Sequence, residues 1–173
     1  MSLKELTKEK HAAAENTKFM KSVFDGTMSL DTWADFTYQK QLIYNGIEGM
    51  AGSKGLLTDL PDIRRAFYLF MDYQEMNNGK DHKVFRQVAI DYHNYILSLT
   101  DTNKILAHLY VWHMGDLFGG QMIKKIVKAP HRSLEFKDPH TLMTNLREKL
   151  SDDLGDEANL AFDWAIKLMD SYD

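Results

Sequence analysis

Apolar residues recur along almost the whole chain at spacings of three and four, and no stretch alternates apolar and polar positions with a period of two. The pattern therefore predicts helices throughout. Ser2-Leu3-Lys4-Glu5 reads as a capping box ahead of a helix running to about Glu15. A short helix from about Thr17 to Phe24 ends at Asp25-Gly26. Ser29 caps a longer one, with Trp33, Phe36, Leu42, Ile43 and Ile47 pointing inward, which closes between Gly49 and Gly55. Pro61-Asp62 opens a helix to about Met76, and Asn77-Asn78-Gly79 turns the chain. The pattern resumes from Val84 to Leu99. Asp101-Thr102 starts a long helix stopped by Ala129-Pro130, and helices from about Pro139 to Leu150 and Gly155 to Tyr172 complete the chain. The expectation is an all-α protein of seven or eight helices forming one domain, residues 1–173.

One segment disturbs this regularity. Gly115-Asp116-Leu117-Phe118-Gly119-Gly120-Gln121 lies inside the long helix. Three glycines in a helix interior cost about 1 kcal/mol each relative to alanine. Bare backbone at such a place serves close approach, by another helix or by a ligand. Asp116 weighs between the two readings: a carboxylate in a close-packed interface is costly without partners, whereas beside a ligand it orders water and relays protons. On a helical wheel Trp112, Gly115 and Gly119 fall near one line, with Asp116 and Gly120 on the next. A flat ligand laid across that surface meets backbone at the glycines and Asp116 to one side.

Composition narrows the chemistry. At 173 residues, 44% hydrophobic and 27% charged, the chain has the make-up of one soluble globular domain. A net charge of -4 offers no electrostatic case for nucleic acid. With no cysteine, thiolate nucleophiles, disulfides and cysteine-ligated metals are excluded. No segment approaches the roughly 20 apolar residues of a membrane span, and neither end carries an apolar signal or tail, so a cytoplasmic location is expected. Neither a nucleotide-binding glycine motif nor a His-Glu-x-x-His or Glu-x-x-His pairing occurs.

Among seven histidines, His11 has the most suggestive neighbours. A half-exposed histidine on a solvated helix face is the commoner situation. Glu15, one turn on, is however placed to orient the second ring nitrogen of a metal-bound imidazole. Lys4 and Lys8 lie on the neighbouring stripe, within reach of carboxylates on whatever His11 holds. The remaining histidines make no metal-ligand spacing with one another.

These residues carry a family resemblance. Leu3 through Asn16 with Phe19-Met20 is similar to the proximal helix of heme oxygenases. Ala107 to Tyr110 and Gly115 through Ile126 resemble their distal helix, and Asp156 to Phe162 a third segment, all in the family's order. The resemblance implies a helical fold in which heme lies between a proximal N-terminal helix and a distal helix kinked at its glycines. It implies heme b as both substrate and cofactor, with no other metal. His11 would be the axial iron ligand and Glu15 its hydrogen-bond partner. Asp116 would be the catalytic carboxylate, organising distal water for proton delivery, with Tyr44 in the same network. Gly115, Gly119 and Gly120 would lie against the porphyrin. Lys4, Lys8, Tyr110 and Arg147 would hold the propionates, and Phe162 would wall the pocket.

The implied reaction takes heme, oxygen and electrons from reduced ferredoxin to biliverdin, carbon monoxide and ferrous iron. The sequence resembles the soluble forms of cyanobacteria and their phages that feed phycobilin synthesis. Lys124, Lys125 and Lys128 are candidates for docking an acidic ferredoxin. Departures from the pattern are also present: Trp112 and His113 replace a common Arg-Tyr pair, Phe118 a common serine, and Met143 a common lysine. Loss of the arginine removes a partner from the distal network. A heme carrier or sensor that keeps the pocket and lacks turnover is the competing reading. A thiaminase-like enzyme of the same helical superfamily is disfavoured by the absence of cysteine.

Overall fold

The computed structural model describes all 173 residues, Met1–Asp173. Nine α-helices follow in order: α1 Leu3–Leu6, α2 Lys8–Glu15, α3 Lys18–Phe24, α4 Leu30–Ser53, α5 Ala66–Asn77, α6 Gln87–Ser98, α7 Thr102–Ile126, α8 Pro139–Lys149 and α9 Gly155–Asp170. Short 3-10 turns sit at Arg132–Leu134 and Asp152–Leu154. Local caps fix many of the starts. Ser2 and Glu5 form the expected capping box, Ser29 accepts from Thr32 N at 3.1 Å, and Asp101 accepts from Asn103 N at 2.9 Å. No helix is long and apolar enough to cross a membrane.

Three boundaries differ from the sequence reading, each because a side chain competes with the helix. The first predicted helix is split at Thr7, whose hydroxyl donates to Leu3 O at 3.0 Å and whose backbone leaves helical geometry. That split makes the total nine helices, and the single wheel drawn across residues 4–15 does not hold through Thr7. Pro61 does not open α5. Asp62 has a φ of 66°, and the helix begins at Ala66, where the Glu48 carboxylate accepts from Arg65 N at 2.6 Å and Ala66 N at 3.2 Å. Residues 84–86 stay extended ahead of α6 because the amide of buried Gln39 donates to Val84 O at 2.9 Å and accepts from Arg86 N at 2.8 Å.

The core lies around α4, which packs on α5, α6 and α7, while α9 packs on α7, α2, α3 and α6. Ile43, Tyr44 and Ile47 of α4 meet Ala107 and Leu109 of α7 and Ala158 of α9, all fully buried, in one continuous cluster. Trp33 and Phe36 face inward as expected, and Leu42 is only partly buried. Arg65 is buried too. Its guanidinium donates to Glu135 O at 2.7 Å and to Asp62 Oδ1 at 2.8 Å, and lies 4.2 Å from the Phe136 ring centroid. The consequence for the site is asymmetric: α7 has one side locked into the core, whereas α2 has no buried residue.

Candidate functional site

The long helix α7 runs as one element through the glycine-rich segment and has two unlike faces there. Gly115 and Gly119 are exposed, and a Cβ added at either would meet nothing within 4 Å. Phe118 is 48% exposed and Met122 57%, so bare backbone and large apolar side chains share one open surface. Such a surface suits a planar apolar ligand and serves no packing purpose within the chain. Gly120 behaves otherwise. It is buried, and a Cβ there would lie 2.8 Å from Leu134 Cδ2, so its missing side chain admits the Arg132–Leu134 turn. Gln121 fastens the same junction, donating to Leu134 O at 2.9 Å. Of the three glycines, two face open space and one closes a helix–loop contact. Trp112 also turns inward, and does not share the open line of Gly115 and Gly119.

Asp116 points away from the open face, toward α4. It is only 5% exposed. Tyr44 Oη lies 2.6 Å from Asp116 Oδ2 and 3.0 Å from Trp112 O, and its one proton goes to the nearer, charged acceptor. Lys40 Nζ donates to Asp116 Oδ1 at 2.7 Å. Burial, then the adjacent Asp116 carboxylate, pushes the Tyr44 hydroxyl well above the ordinary tyrosine range, so it remains a donor. The carboxylate is thus held by one donor on each oxygen, with acceptor capacity left over for a third partner.

Behind this pair lie two further buried polar clusters. His113 Nε2 is 2.8 Å from Glu48 Oε2, and its ring stacks on Tyr44 with centroids 4.4 Å apart. His108 Nδ1 is 2.6 Å from Tyr92 Oη, and its Nε2 is 3.0 Å from Glu157 Oε1, which also accepts from Tyr95. Trp112 Nε1 donates to Tyr92 Oη at 2.8 Å. The two residues that depart from the Arg-Tyr pattern, Trp112 and His113, are therefore both committed to the core.

On the N-terminal side, His11 stands on α2 with its side chain 60% exposed. Its Nδ1 is 3.5 Å from Glu15 Oε1, one small rotamer adjustment from a hydrogen bond, which leaves Nε2 free. The ring meets Phe162 of α9 edge-on, centroids 5.8 Å apart. An ion pair between Lys10 and Asp163 at 2.6 Å and a bond from Asn159 Nδ2 to Leu6 O at 3.1 Å tie this end of the chain to α9. Both α2 and α7 pack on α9 and not substantially on each other. Lys4 and Lys8 are exposed, Tyr110 is half-buried on α7, and Arg147 of α8 places its guanidinium 5.4 Å from the Phe118 ring centroid. Lys40 was not among the residues the sequence singled out. Its only local signal is a spacing of four from Tyr44, and its partner lies 76 positions away.

The fold is all-helical, with an exposed imidazole on α2 and an open glycine face on α7, both helices packed on α9. The heme oxygenase family model matches residues 1–153, and the chain belongs to that family. Heme oxygenase 2 of Macaca fascicularis is 27% identical over 202 residues, covering 99% of this chain and 64% of the relative. Heme oxygenase 1 of Gallus gallus is 31% identical, covering 73% of this chain and 46% of the relative. The chain thus spans less than two thirds of the length of these relatives. Among solved structures, heme oxygenase-1 of the cyanobacterium Synechocystis sp. PCC6803 in complex with heme superposes with a TM-score of 0.84 at 21% identity, covering 99% of this chain and 90% of that one. The heme oxygenase of Leptospira interrogans gives 0.79 at 22% identity, covering 99% and 100%.

Proposed function

We propose that this chain binds heme in the cleft between α2 and α7 and degrades it oxidatively to biliverdin, carbon monoxide and ferrous iron. The observation that carries the reading is the pairing of an open Gly115–Gly119 backbone with a buried, doubly held Asp116 on the adjoining face of the same helix. A carrier needs the first feature and His11, and has no use for the second.

In this reading heme b is both substrate and cofactor, and its iron supplies the oxygen chemistry. The protein supplies the rest. His11 Nε2 would hold the iron, and Glu15 would accept a hydrogen bond from Nδ1–H and so fix the tautomer. Phe162 limits rotation of the imidazole from the side. Gly115 and Gly119 admit the macrocycle against backbone, while Phe118 and Met122 exclude water at its edge. Asp116 is too buried to meet the ligand broadly. It would act through ordered water rather than by touching the ligand, with Tyr44 staying protonated as the donor that orients the carboxylate. Lys4, Lys8, Tyr110 and Arg147 supply propionate contacts. Gly120 supports α7 from behind rather than touching the ligand.

Reduced ferredoxin is the proposed electron donor, docking at Lys124, Lys125 and Lys128 near the end of α7, and phycobilin synthesis in the cytoplasm is the proposed setting. The test is direct. Hemin added to purified protein should give the Soret band of a histidine-ligated complex, and a reduced ferredoxin system under oxygen should convert it to a bilin spectrum. A Soret band that persists under those conditions would establish the carrier instead.

A further inference from the structure

Asp116 is held by a cation that comes from a different helix. Lys40 of α4 sends its ammonium to Asp116 Oδ1 at 2.7 Å, with side chains only 13% and 7% exposed. No other Lys, Arg or His pairs with this carboxylate. Two features make the contact more than a surface ion pair. The pair is largely desolvated, so removing either partner leaves an uncompensated charge. Lys40 and Tyr44 are also one turn apart on α4, and they grip the two oxygens of one carboxylate, fixing its plane as well as its position. Lys40 also lines a small cavity of about 20 Å3 together with Thr37, Asp72 and Ser133, large enough for one water.

We propose that Lys40 is the positioning residue of the distal site, holding the Asp116 carboxylate aimed in place of a cation that α7 itself does not provide. Trp112, one turn before Asp116, spends its ring nitrogen on Tyr92 and cannot serve. The inference rests on the functional reading above, since a carrier needs no aimed carboxylate.

The test uses Lys40→Met, Lys40→Arg, Asp116→Asn and the Lys40→Met/Asp116→Asn double variant. In urea unfolding of the ligand-free protein the two single substitutions should be non-additive, with the double variant more stable than Lys40→Met. Additive midpoints would overturn the ion pair. Hemin affinity by absorbance titration should be the same in Lys40→Met as in the wild type, because the Lys40 side chain is largely buried and directed to Asp116. Biliverdin formation should fall by about ten- to a hundredfold, as for loss of an orienting partner, with more reductant consumed per bilin formed. Lys40→Arg should recover both rate and coupling. A wild-type rate and coupling in Lys40→Met, or failure of Lys40→Arg to recover either, would overturn the proposal alone. A wild-type protein that binds hemin and never converts it would overturn the functional reading and this inference together.

Discussion

The space beside Gly120 is filled by Leu134, whose Cδ2 would lie 2.8 Å from a methyl added at that glycine, whereas the same methyl at Gly115 or Gly119 would touch nothing. Neighbouring glycines of one helix therefore answer to different demands. Gly115→Ala should raise stability by about 0.8–1 kcal/mol through helix propensity alone. Gly120→Ala gains the same propensity and meets overpacking of roughly 1–3 kcal/mol, for a net loss of about 1 kcal/mol. Urea unfolding of the two variants checks the opposite signs, and equal shifts would remove the distinction.

The bulkier Gly119→Leu separates folding from binding. With open space around the position, it should be at least as stable as wild type, by up to about 0.8 kcal/mol of helix propensity, and its hemin affinity should drop at least about tenfold by loss of close approach. Absorbance titration measures this. Unimpaired hemin binding would mean that the open face of α7 is not the ligand surface.

His11 is exposed and sits within α2, so His11→Ala should leave unfolding unchanged or slightly improved, by at most about 0.7 kcal/mol. The hemin complex should lose its histidine-ligated spectrum, and imidazole added to the solution should restore it. A variant with the wild-type spectrum would assign the ligand to another residue.

Asp116→Asn should bind hemin as the wild type does and form no biliverdin, because an amide cannot accept from Lys40 and Tyr44 as a carboxylate does. It should also lose stability by about 3 kcal/mol or more through the unpaired Lys40 ammonium. Bilin analysis and unfolding on the same preparation read both. Normal bilin yield from this variant would end the proton-delivery role.

Burial raises the hydroxyls of Tyr44 and Tyr92 well above the usual tyrosine value, in Tyr44 helped by Asp116 and in Tyr92 by Glu157 against an opposing bond from Trp112. Their contribution to stability is fully present below the unfolded-state value of about 10 and is lost as pH rises beyond it. Stability should hold from neutral pH to about 10 and then fall, with part of the phenolate absorbance appearing only on unfolding. Tyr92→Phe should flatten the alkaline limb. Complete phenolate titration in the folded protein would contradict the burial of these two hydroxyls.

Much of this was legible in the chain because it is written locally. Ser2, Ser29 and Asp101 cap helices through residues two or three positions away, and the helix-breaking cost of Gly115, Gly119 and Gly120 is visible without any partner. What escaped depends on contacts across the fold. The starts of α5 and α6 are set by Glu48 and Gln39, which satisfy backbone groups 17 to 47 residues distant. Gly120 and Gly119 are adjacent and identical in type, so only packing separates their roles. Lys40 looked like one more helix lysine until α4 and α7 were laid side by side.

The absence of any buried residue in α2 has a consequence for how the protein and its ligand depend on each other. Eight residues are too few to hold a helix by hydrogen bonding alone, and α2 is anchored only by the Lys10–Asp163 pair, the His11–Phe162 ring contact and partly buried Ala14. In the proposed function, the flat ligand covering α2 would become, in effect, its hydrophobic core. Ligand concentration then acts as a folding variable for this segment, by RT ln(1 + [L]/Kd). Amide exchange across residues 8–15 would slow with saturation, while the α4–α7 wall behind Asp116 kept its own time.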